Sequence, residues 1–208
     1  MSEREPRRFH RGLDRRAVLT TALEVLHTEG RSALTMRRVA RELDVEAASL
    51  YTHVRSKDDL VDGMIDLVLE KVAVPDVGPT WRESLVAGFT SYRQTLIAHP
   101  AIVSLMTERA RFSDAQVRLV ARSIELLESS GMSTPDAVRT HITLIAFTLG
   151  FVVQEVGRPA AMPADVLASS PVLQRAVTAL VATSVDSRFQ VGLNLILDGA
   201  KVHMLSGH

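Results

Sequence analysis

Residues 35–53 contain two short helical patterns separated by an abrupt break, and this arrangement limits the possible folds more than any other part of the chain. Thr35 can cap a helix whose apolar residues continue to Leu43, and Asp44-Val45 interrupts the pattern. A third short helix is predicted from about residue 46 to residue 53. Two helices of this length cannot bury their own apolar faces, so they require a preceding helix that completes a three-helix core.

The preceding residues supply this helix. From Asp14 onward, apolar residues recur at spacings of three and four, and Gly30 is a suitable stop. Asp44 falls in the turn where a left-handed residue is favoured, and aspartate accepts that conformation better than most residues. The residues that we expect to fill the three-helix core are Leu23, Leu26, Leu34, Val39, Leu43, Val45 and Leu50.

The rest of the chain is also helical by its periodicity, and no strand pattern is present. Capping signals begin further helices at Ser56, Thr80 and Thr134, and residues 157–171 form the longest stretch without a pattern. We therefore predict an all-α fold. Its parts are a flexible basic arm at 1–13, a three-helix helix-turn-helix domain at 14–60, a connecting helix and linker at 61–79, and a larger helical ligand-binding and dimerisation domain at 80–208.

Composition excludes several classes of protein. The 208 residues carry 24 Lys plus Arg against 24 Asp plus Glu, but residues 1–57 hold 12 basic and 8 acidic side chains, so a basic head precedes an acidic body. The absence of cysteine excludes disulfides and thiolate metal sites. The N-terminus lacks an apolar signal core, and the apolar run at 142–153 is too short to span a bilayer. These features predict a cytoplasmic protein without a membrane partner.

The third short helix leaves small or hydrogen-bonding side chains facing outward, which suits close approach to the major groove of DNA. Arg37 and Arg38 before this helix, and Arg55 and Lys57 after it, flank the surface and can contact phosphates. A helical hairpin with a solvated face is the alternative that the pattern alone leaves open. The outward residues are Ala47, Ala48, Ser49, Tyr51, Thr52 and His53.

The stretch from Thr35 to Ile65 closely resembles the DNA-binding domain of the tetracycline-repressor (TetR) family. The resemblance rests on the pentad Leu-Tyr-Thr-His-Val at 50–54, followed by a basic residue, a serine and Lys57. It implies that Tyr51, which can also belong in part to the core, and Lys57 contact phosphates. The complete set of residues expected to meet DNA is Thr35, Arg37, Arg38, Ala47, Ala48, Ser49, Tyr51, Thr52, His53 and Lys57.

The resemblance also implies that the residues at 47–49 lie where family members read bases. Two of them, Ala47 and Ala48, offer little hydrogen-bonding readout. Specificity would then depend on neighbouring residues or on the shape of the DNA.

The C-terminal part is similar to the body of the tetracycline-repressor subgroup. Matching spacings occur at Trp81, Arg93 and His99, in the string Phe-Thr-Leu-Gly at 147–150, and in the closing segment at 189–200. In that subgroup the closing segment is the last helix, which pairs with its partner in the dimer.

One departure from the subgroup concerns its ligand. The tetracycline repressor holds a magnesium–drug complex with histidines and a glutamate, whereas this sequence has Ala73, Met106 and Gln154 at the corresponding positions. Magnesium requires oxygen ligands, which alanine and methionine do not provide. The resemblance therefore does not imply tetracycline, and we predict neither a metal site nor a cofactor.

An otherwise apolar helical body with a few inward polar residues predicts a pocket for a small, largely hydrophobic ligand. Each of these residues can equally be ordinary core, since apolar residues at helical spacing are the default interior. The predicted pocket residues are Phe89, Tyr92, Leu105, Met106, Arg109, Phe147, Phe151 and Gln154.

The helices predicted at 136–155 and 187–205 are apolar on more than one stripe, so a monomer would leave part of this surface in water. We expect a homodimer in which four helices pack across a two-fold axis. Such a dimer would place two heads about 34–36 Å apart, at successive major grooves. The predicted interface residues are Leu144, Phe147, Leu193, Ile196 and Leu197.

Together these features predict a repressor that binds a palindromic double-stranded DNA operator and is released by a small-molecule effector. An activator, or an architectural DNA-binding protein without a ligand, would have the same sequence features. An enzyme is the alternative from another class. The chain lacks His-x-x-x-His spacing, a glycine-rich phosphate loop and a nucleophile elbow, and we therefore predict no enzymatic activity.

Overall fold

The computed structural model describes residues 13–74, 80–157 and 162–205, and within them all regular structure is helical. The all-α prediction is confirmed. The helices are α1 (Arg15–Glu29), α2 (Met36–Glu42), α3 (Ala47–Leu50), α4 (Lys57–Leu69), α5 (Trp81–Ala98), α6 (Pro100–Thr107), α7 (Asp114–Glu128), α8 (Thr134–Val156), α9 (Ala164–Ser169), α10 (Pro171–Val181) and α11 (Val185–Leu205), with a 3-10 turn at Arg31–Ala33 between α1 and α2. We refer to α1–α3 with the start of α4 as the head and to α5–α11 as the body.

Side-chain caps fix where the head helices begin. The carboxylate of Asp14 accepts a hydrogen bond from the amide of Ala17 at 2.7 Å, and the hydroxyl of Thr35 accepts one from the amide of Arg38 at 3.1 Å. Ser56 caps α4 through the amide of Asp59 at 3.1 Å. These groups satisfy backbone donors that have no partner within the helix.

Three details differ from the sequence prediction. The third helix ends at Leu50, and residues 51–53 continue as turns whose amides bond to carbonyls three residues earlier. Ser133, rather than Thr134, caps α8, because its hydroxyl accepts from the amide of Asp136. The stretch predicted to be irregular contains α9. The arm predicted at 1–13, apart from Leu13, and the linker at 75–79 lie outside the described residues.

Helix α4 packs on both parts of the structure. Leu60, Met64 and Ile65 are fully buried, and they belong to one continuous core that extends from α1 to Leu105 and Met106 of α6. Helix α4 contacts α1 in the head and α5, α6 and α7 in the body. The helix-turn-helix domain predicted at 14–60 and the connecting helix predicted to follow it therefore meet within α4, which both parts bury.

A second core holds the body together around a buried cation. Arg93 of α5 donates to both oxygens of Glu155 on α8, at 2.8 and 2.7 Å, and to Asp186 on α11 at 2.7 Å. Its guanidinium lies 5.4 Å from the ring centre of Phe151 and 5.0 Å from that of Phe189. Three helices are thus joined by one side chain whose charge is fully paired.

Helix α8 has the length and composition that could cross a membrane, since it contains 23 residues. The predicted absence of a membrane span rested on the shorter run at 142–153, which is only part of this helix. In the structure α8 packs against α5, α7 and α11 of the body and leaves Ile142, Val153 and Val156 exposed.

The turn between α2 and α3 generates a stability prediction. Asp44 has a φ of 56°, and the amide of Val45 donates to the carbonyl of Ala40 at 3.0 Å, which closes α2 at a position where glycine is common. We expect Asp44→Val to lower the free energy of unfolding by about 1–2 kcal/mol, because a β-branched residue is strained in the left-handed region. Asp44→Gly serves as the control and should be at least as stable as the parent chain. Chemical denaturation measures both, and equal stability of the Val variant would contradict the left-handed turn.

Candidate nucleic-acid interface and ligand cavity

The end of α2, helix α3 and the turns after it form one polar surface of the head. Leu50 and Val54 are buried in the head core, so the residues between and before them face outward. Tyr51 is 53% exposed, and Ala48 and Thr52 are also exposed, whereas Ala47, Ser49 and His53 are half-buried. Thr35 and Lys57 are exposed at the N-termini of α2 and α4. The structure thus brings these predicted DNA-contacting residues together.

Arg38 does not belong to this free surface, and its predicted role as a phosphate contact is corrected. Its Nε lies 3.0 and 3.1 Å from the two carboxylate oxygens of Glu29, and Nη1 donates to Glu42 at 2.7 Å. The hydrogen bonds that Arg38 donates to Glu29 and Glu42 hold the pKa of Arg38 well above its usual range. Arg38 therefore links α1 to α2, while Arg37 is exposed.

Two further residues of the head line or support this candidate surface, and the sequence analysis missed both. Arg41 is exposed and lines a shallow groove with Arg37 and Ala47. Its spacing of four from Arg37 places both on one helix face, a signal that the sequence does contain.

The second missed residue is Arg15, which joins the turn after α3 to the start of α4. It donates to the carbonyl of His53 at 2.7 Å and to the carboxylate of Asp59 at 2.6 and 3.2 Å. The hydrogen bond from Arg15 is the main cause that holds the pKa of Asp59 below its usual range. This contact fixes the turn after α3 against the first turn of α4, and therefore the distance between Tyr51 and Lys57.

The body contains a cavity of about 570 Å³ between the end of α4 and helices α5, α6, α7 and α8. Most of its wall is apolar. The residues that line it are Leu69, Val72, Val74, Ser84, Leu85, Gly88, Phe89, Tyr92, Met106, Thr107, Arg109, Phe112, Gln116, Leu119, Val120, Ser123, Ile124, Leu126, Val138, His141, Ile142, Ile145 and Leu149.

Burial favours the neutral form of two titratable groups in the cavity wall. Burial raises the pKa of the Tyr92 hydroxyl above its usual range. The Nδ1 atom of His141 lies 3.0 Å from the hydroxyl of Ser123, and burial lowers the pKa of this histidine. The cavity therefore offers neutral donors and acceptors from α5, α7 and α8 to a bound molecule.

Half of the predicted pocket residues line this cavity, namely Phe89, Tyr92, Met106 and Arg109. The others do not, and their prediction is corrected here. Leu105 is buried toward a cleft between head and body, Phe147 and Phe151 pack on Phe189 at ring-centre distances of 5.4 and 5.2 Å, and Gln154 is exposed.

Helical geometry explains why Phe147 and Phe151 do not line the cavity. Phe147 and Phe151 lie four residues apart on the face of α8 that meets α11, whereas His141, Ile145 and Leu149 form the stripe that meets the cavity. Both stripes are apolar enough for either role in the sequence. The described residues contain no group of three or more histidines and carboxylates that could hold a metal ion.

Polar contacts connect the body to the head beside the cavity. The loop between α6 and α7 pairs with the head through Glu108 and Arg31, and with α4 through Arg109 and Asp62 at 2.6 Å. Arg109 also lies 3.4 Å from Asp58.

A second contact between head and body involves two histidines. The ring of His99, which follows α5, stacks on His27 of α1 at 5.2 Å, and its Nε2 lies 3.1 Å from the ammonium of Lys71. Burial, followed by the neighbouring charges of Lys71 and His27, lowers the pKa of His99. A neutral His99 is therefore the form that suits this junction.

Three of the predicted interface residues, Leu144, Leu193 and Leu197, are buried inside the protomer, which corrects their assignment, whereas Phe147 and Ile196 are half-buried and stay predictions. Leu144, Leu193 and Leu197 are at most 1% exposed in the second core, and Phe147 and Ile196 pack against the same core. Among their described residues, the large apolar side chains that α8 and α11 expose are Ile142, Val153, Val156, Val191, Leu195 and Val202.

Comparison with known proteins covers both parts of the chain. Residues 18–64 match the family described as "Bacterial regulatory proteins, tetR family", and residues 74–204 match "Tetracyclin repressor-like, C-terminal domain". The chain is 29% identical over 190 residues to the tetracycline repressor protein class A from transposon 1721 of Escherichia coli, which covers 88% of each protein.

Solved structures agree in fold. The TetR family protein ActR of Streptomyces coelicolor, in complex with actinorhodin, superposes with a TM-score of 0.77 at 28% identity, over 93% of this chain and 97% of that one. BioQ with its natural double-stranded DNA operator gives a TM-score of 0.67 at 26% identity, over 92% of this chain and 99% of that one.

These matches extend along almost the whole chain and include the helix-turn-helix and the helical body in their observed order. The family consists of DNA-binding transcriptional regulators rather than enzymes. Because both its head and its body match the family, the chain belongs to the tetracycline-repressor (TetR) family of transcriptional regulators.

Proposed function

We propose that this protein is a homodimeric repressor that binds a palindromic DNA operator through its head and releases it when a small, largely hydrophobic ligand enters the body cavity. We place this activity in the cytoplasm, where the operator is accessible. The observation that carries the proposal is the position of α4, which both supports the DNA-facing surface at its N-terminus and lines the cavity through Leu69 near its C-terminus.

The chemistry of the head surface supports DNA as the partner. Small residues at 47–49 allow α3 to approach base edges closely, and the exposed Tyr51 can donate its hydroxyl to a phosphate. Arg37, Arg41 and Lys57 surround this face with positive charge. Phosphate contacts would position the head, and the small residues leave much of the sequence preference to DNA shape.

The cavity supports a ligand of moderate size. About 570 Å³ lies within the range of roughly 300–1,000 Å³ that small-molecule sites occupy. The relative ActR is described in complex with actinorhodin, and other relatives carry the name tetracycline repressor. Release would follow if the ligand binds the DNA-incompatible arrangement of the two heads more tightly by a few kcal/mol.

Exposed apolar side chains support the homodimer. Leu195 is 67% exposed, and Val191 and Val202 lie on the same stripe of α11. Ile142 and Val153 form a similar stripe on α8, and the two helices pack against each other. Two such pairs from two protomers would form a four-helix interface and cover both stripes.

The first prediction concerns Lys57. Binding sites are selected from a pool of random double-stranded DNA, and affinity for the selected duplex is measured by fluorescence anisotropy at several salt concentrations. Lys57→Ala should weaken binding roughly three- to tenfold and reduce the slope of log K against log salt by about 1, because one phosphate contact is lost. Lys201→Ala, an exposed lysine on α11, is the matched control and should leave both values unchanged. Equal effects of the two substitutions would refute the assigned surface.

Adjacent arginines in α2 provide a second test. Arg37→Ala should weaken DNA binding and leave the melting temperature unchanged, because its side chain is exposed. Arg38→Ala should lower the melting temperature, because the head loses the contacts to Glu29 and Glu42. Thermal unfolding and anisotropy on the same preparations separate the two roles, and the reverse assignment would contradict the geometry of α2.

The third test concerns the interface. Leu195→Glu should convert the dimer into a monomer, because two carboxylates would be buried near the two-fold axis. Val117→Glu places the same charge on an exposed position of α7 and should leave the mass unchanged. Sedimentation equilibrium measures both, and a Leu195→Glu protein that remains dimeric would exclude this face of α11 from the interface.

A further inference from the structure

The cavity wall contains a single formally charged side chain among the described residues, and it is also part of the contact with α4. Arg109 lines the cavity, while the other polar lining residues are hydroxyls, an amide and the neutral His141. A lone cation in an apolar site with a volume of about 570 Å³ is suited to a ligand that carries one anionic group on an apolar body.

The hydrogen-bonding capacity of Arg109 is incompletely used. Its side chain is 14% exposed, and its buried Nε has no hydrogen-bond partner within the described structure. The contact between Nη2 and Asp62 has a length of 2.6 Å, yet the buried Oδ1 of Asp62 lacks hydrogen-bond alignment. The contact with Asp58 is longer, at 3.4 Å. A planar guanidinium in this state can accept an additional anionic partner in a two-point contact.

The carboxylates that Arg109 contacts on α4 would not be left unpaired if it turned toward the cavity. Asp62 is also paired with Arg111 from the same loop, and the side chain of Asp58 is 80% exposed to water. Removing one partner from a buried charge is costly only when no other partner replaces it. Arg109 can therefore turn from α4 to an anionic ligand without leaving an unpaired buried carboxylate behind.

We propose that the effector is an amphipathic anion, such as an aromatic carboxylate, sulfonate or phenolate, whose charged group binds Arg109 in competition with Asp58 and Asp62 of α4. This inference rests on the proposed function, since it specifies the ligand class of the same cavity. Binding removes an ionic contact between the loop and the first turns of α4, which lie directly behind Lys57. Phe112 of the same loop lines the cavity, so the apolar body of the ligand and its charge act on one segment.

The test uses two fluorescent probes with the same aromatic body. 8-Anilinonaphthalene-1-sulfonate is anionic, and N-phenyl-1-naphthylamine is its neutral counterpart. Arg109→Gln should weaken binding of the sulfonate about tenfold, as expected for a lost charged hydrogen bond, and change binding of the neutral probe less than about twofold. Arg118→Gln, an exposed arginine on α7 outside the cavity wall, is the matched control.

The competition with α4 is tested separately. Asp62→Asn should tighten sulfonate binding about threefold or more, because Arg109 loses a competing carboxylate, and should leave the neutral probe unaffected. Asp58→Asn is more exposed, provides the same test if the first variant misfolds, and should shift the affinity in the same direction. Val120→Phe, which narrows the cavity, should reduce the binding of both probes and thereby locates them.

Two results would overturn the proposal. An equal loss of both probes in Arg109→Gln would show that the arginine only shapes the cavity. Unchanged sulfonate affinity in both aspartate variants would show that α4 does not compete for it. Sulfonate binding that follows the prediction without releasing the selected DNA would instead refute the release mechanism of the proposed function and leave the ligand class intact.

Discussion

Burial of α4 on two sides is the constraint on which the organisation of this structure depends. Leu60 and Met64 are fully buried in a core that runs from α1 into α6, so the head has no separate interior that would let it move independently of this helix. A packed core tolerates few intermediate arrangements, because small displacements lose many contacts. The orientation of the head therefore follows the orientation of α4, and anything that shifts α4 within the body shifts the DNA-facing surface.

The acidic side of α4 makes a different kind of contact. Asp58, Asp62 and Asp66 occur four residues apart and meet the α6–α7 loop and the start of α7, where Asp66 accepts from the amide of Ala115 at 2.7 Å. Hydrophobic contacts stabilise α4 in any position that buries its apolar face. The ionic contacts are more specific, because they require particular partners at particular distances. Apolar packing thus supplies the strength of the junction, and the carboxylates supply a preference for one position that competing charges can change.

The parts predicted correctly from the sequence depend on local signals. The caps at Thr35, Ser56 and Thr80, the left-handed Asp44 and the apolar spacing of the head are encoded within a few residues of where they act. The misplaced residues depend on distant partners instead. The sequence alone does not distinguish Arg37 from Arg38. In the structure only Arg38 pairs with Glu29, which lies nine residues earlier in the chain. Likewise, α11 is apolar on several stripes, and only the three-dimensional arrangement shows that Leu193 faces inward while Leu195 faces outward.

The polar groups around Arg93 and around Arg109 differ in how fully their hydrogen-bonding capacity is used, and this difference distinguishes a structural role from a recognition role. Arg93 has a two-point contact with Glu155, a further contact with Asp186 and two aromatic rings against its faces, so its charge is already neutralised within the protomer. At the cavity, by contrast, the buried Nε of Arg109 has no hydrogen-bond partner within the described structure. Unsatisfied buried donors are costly, and a ligand that satisfies them gains that free energy on binding. Helix packing around Arg93 can therefore stay constant while substitutions around the cavity change which molecule is recognised.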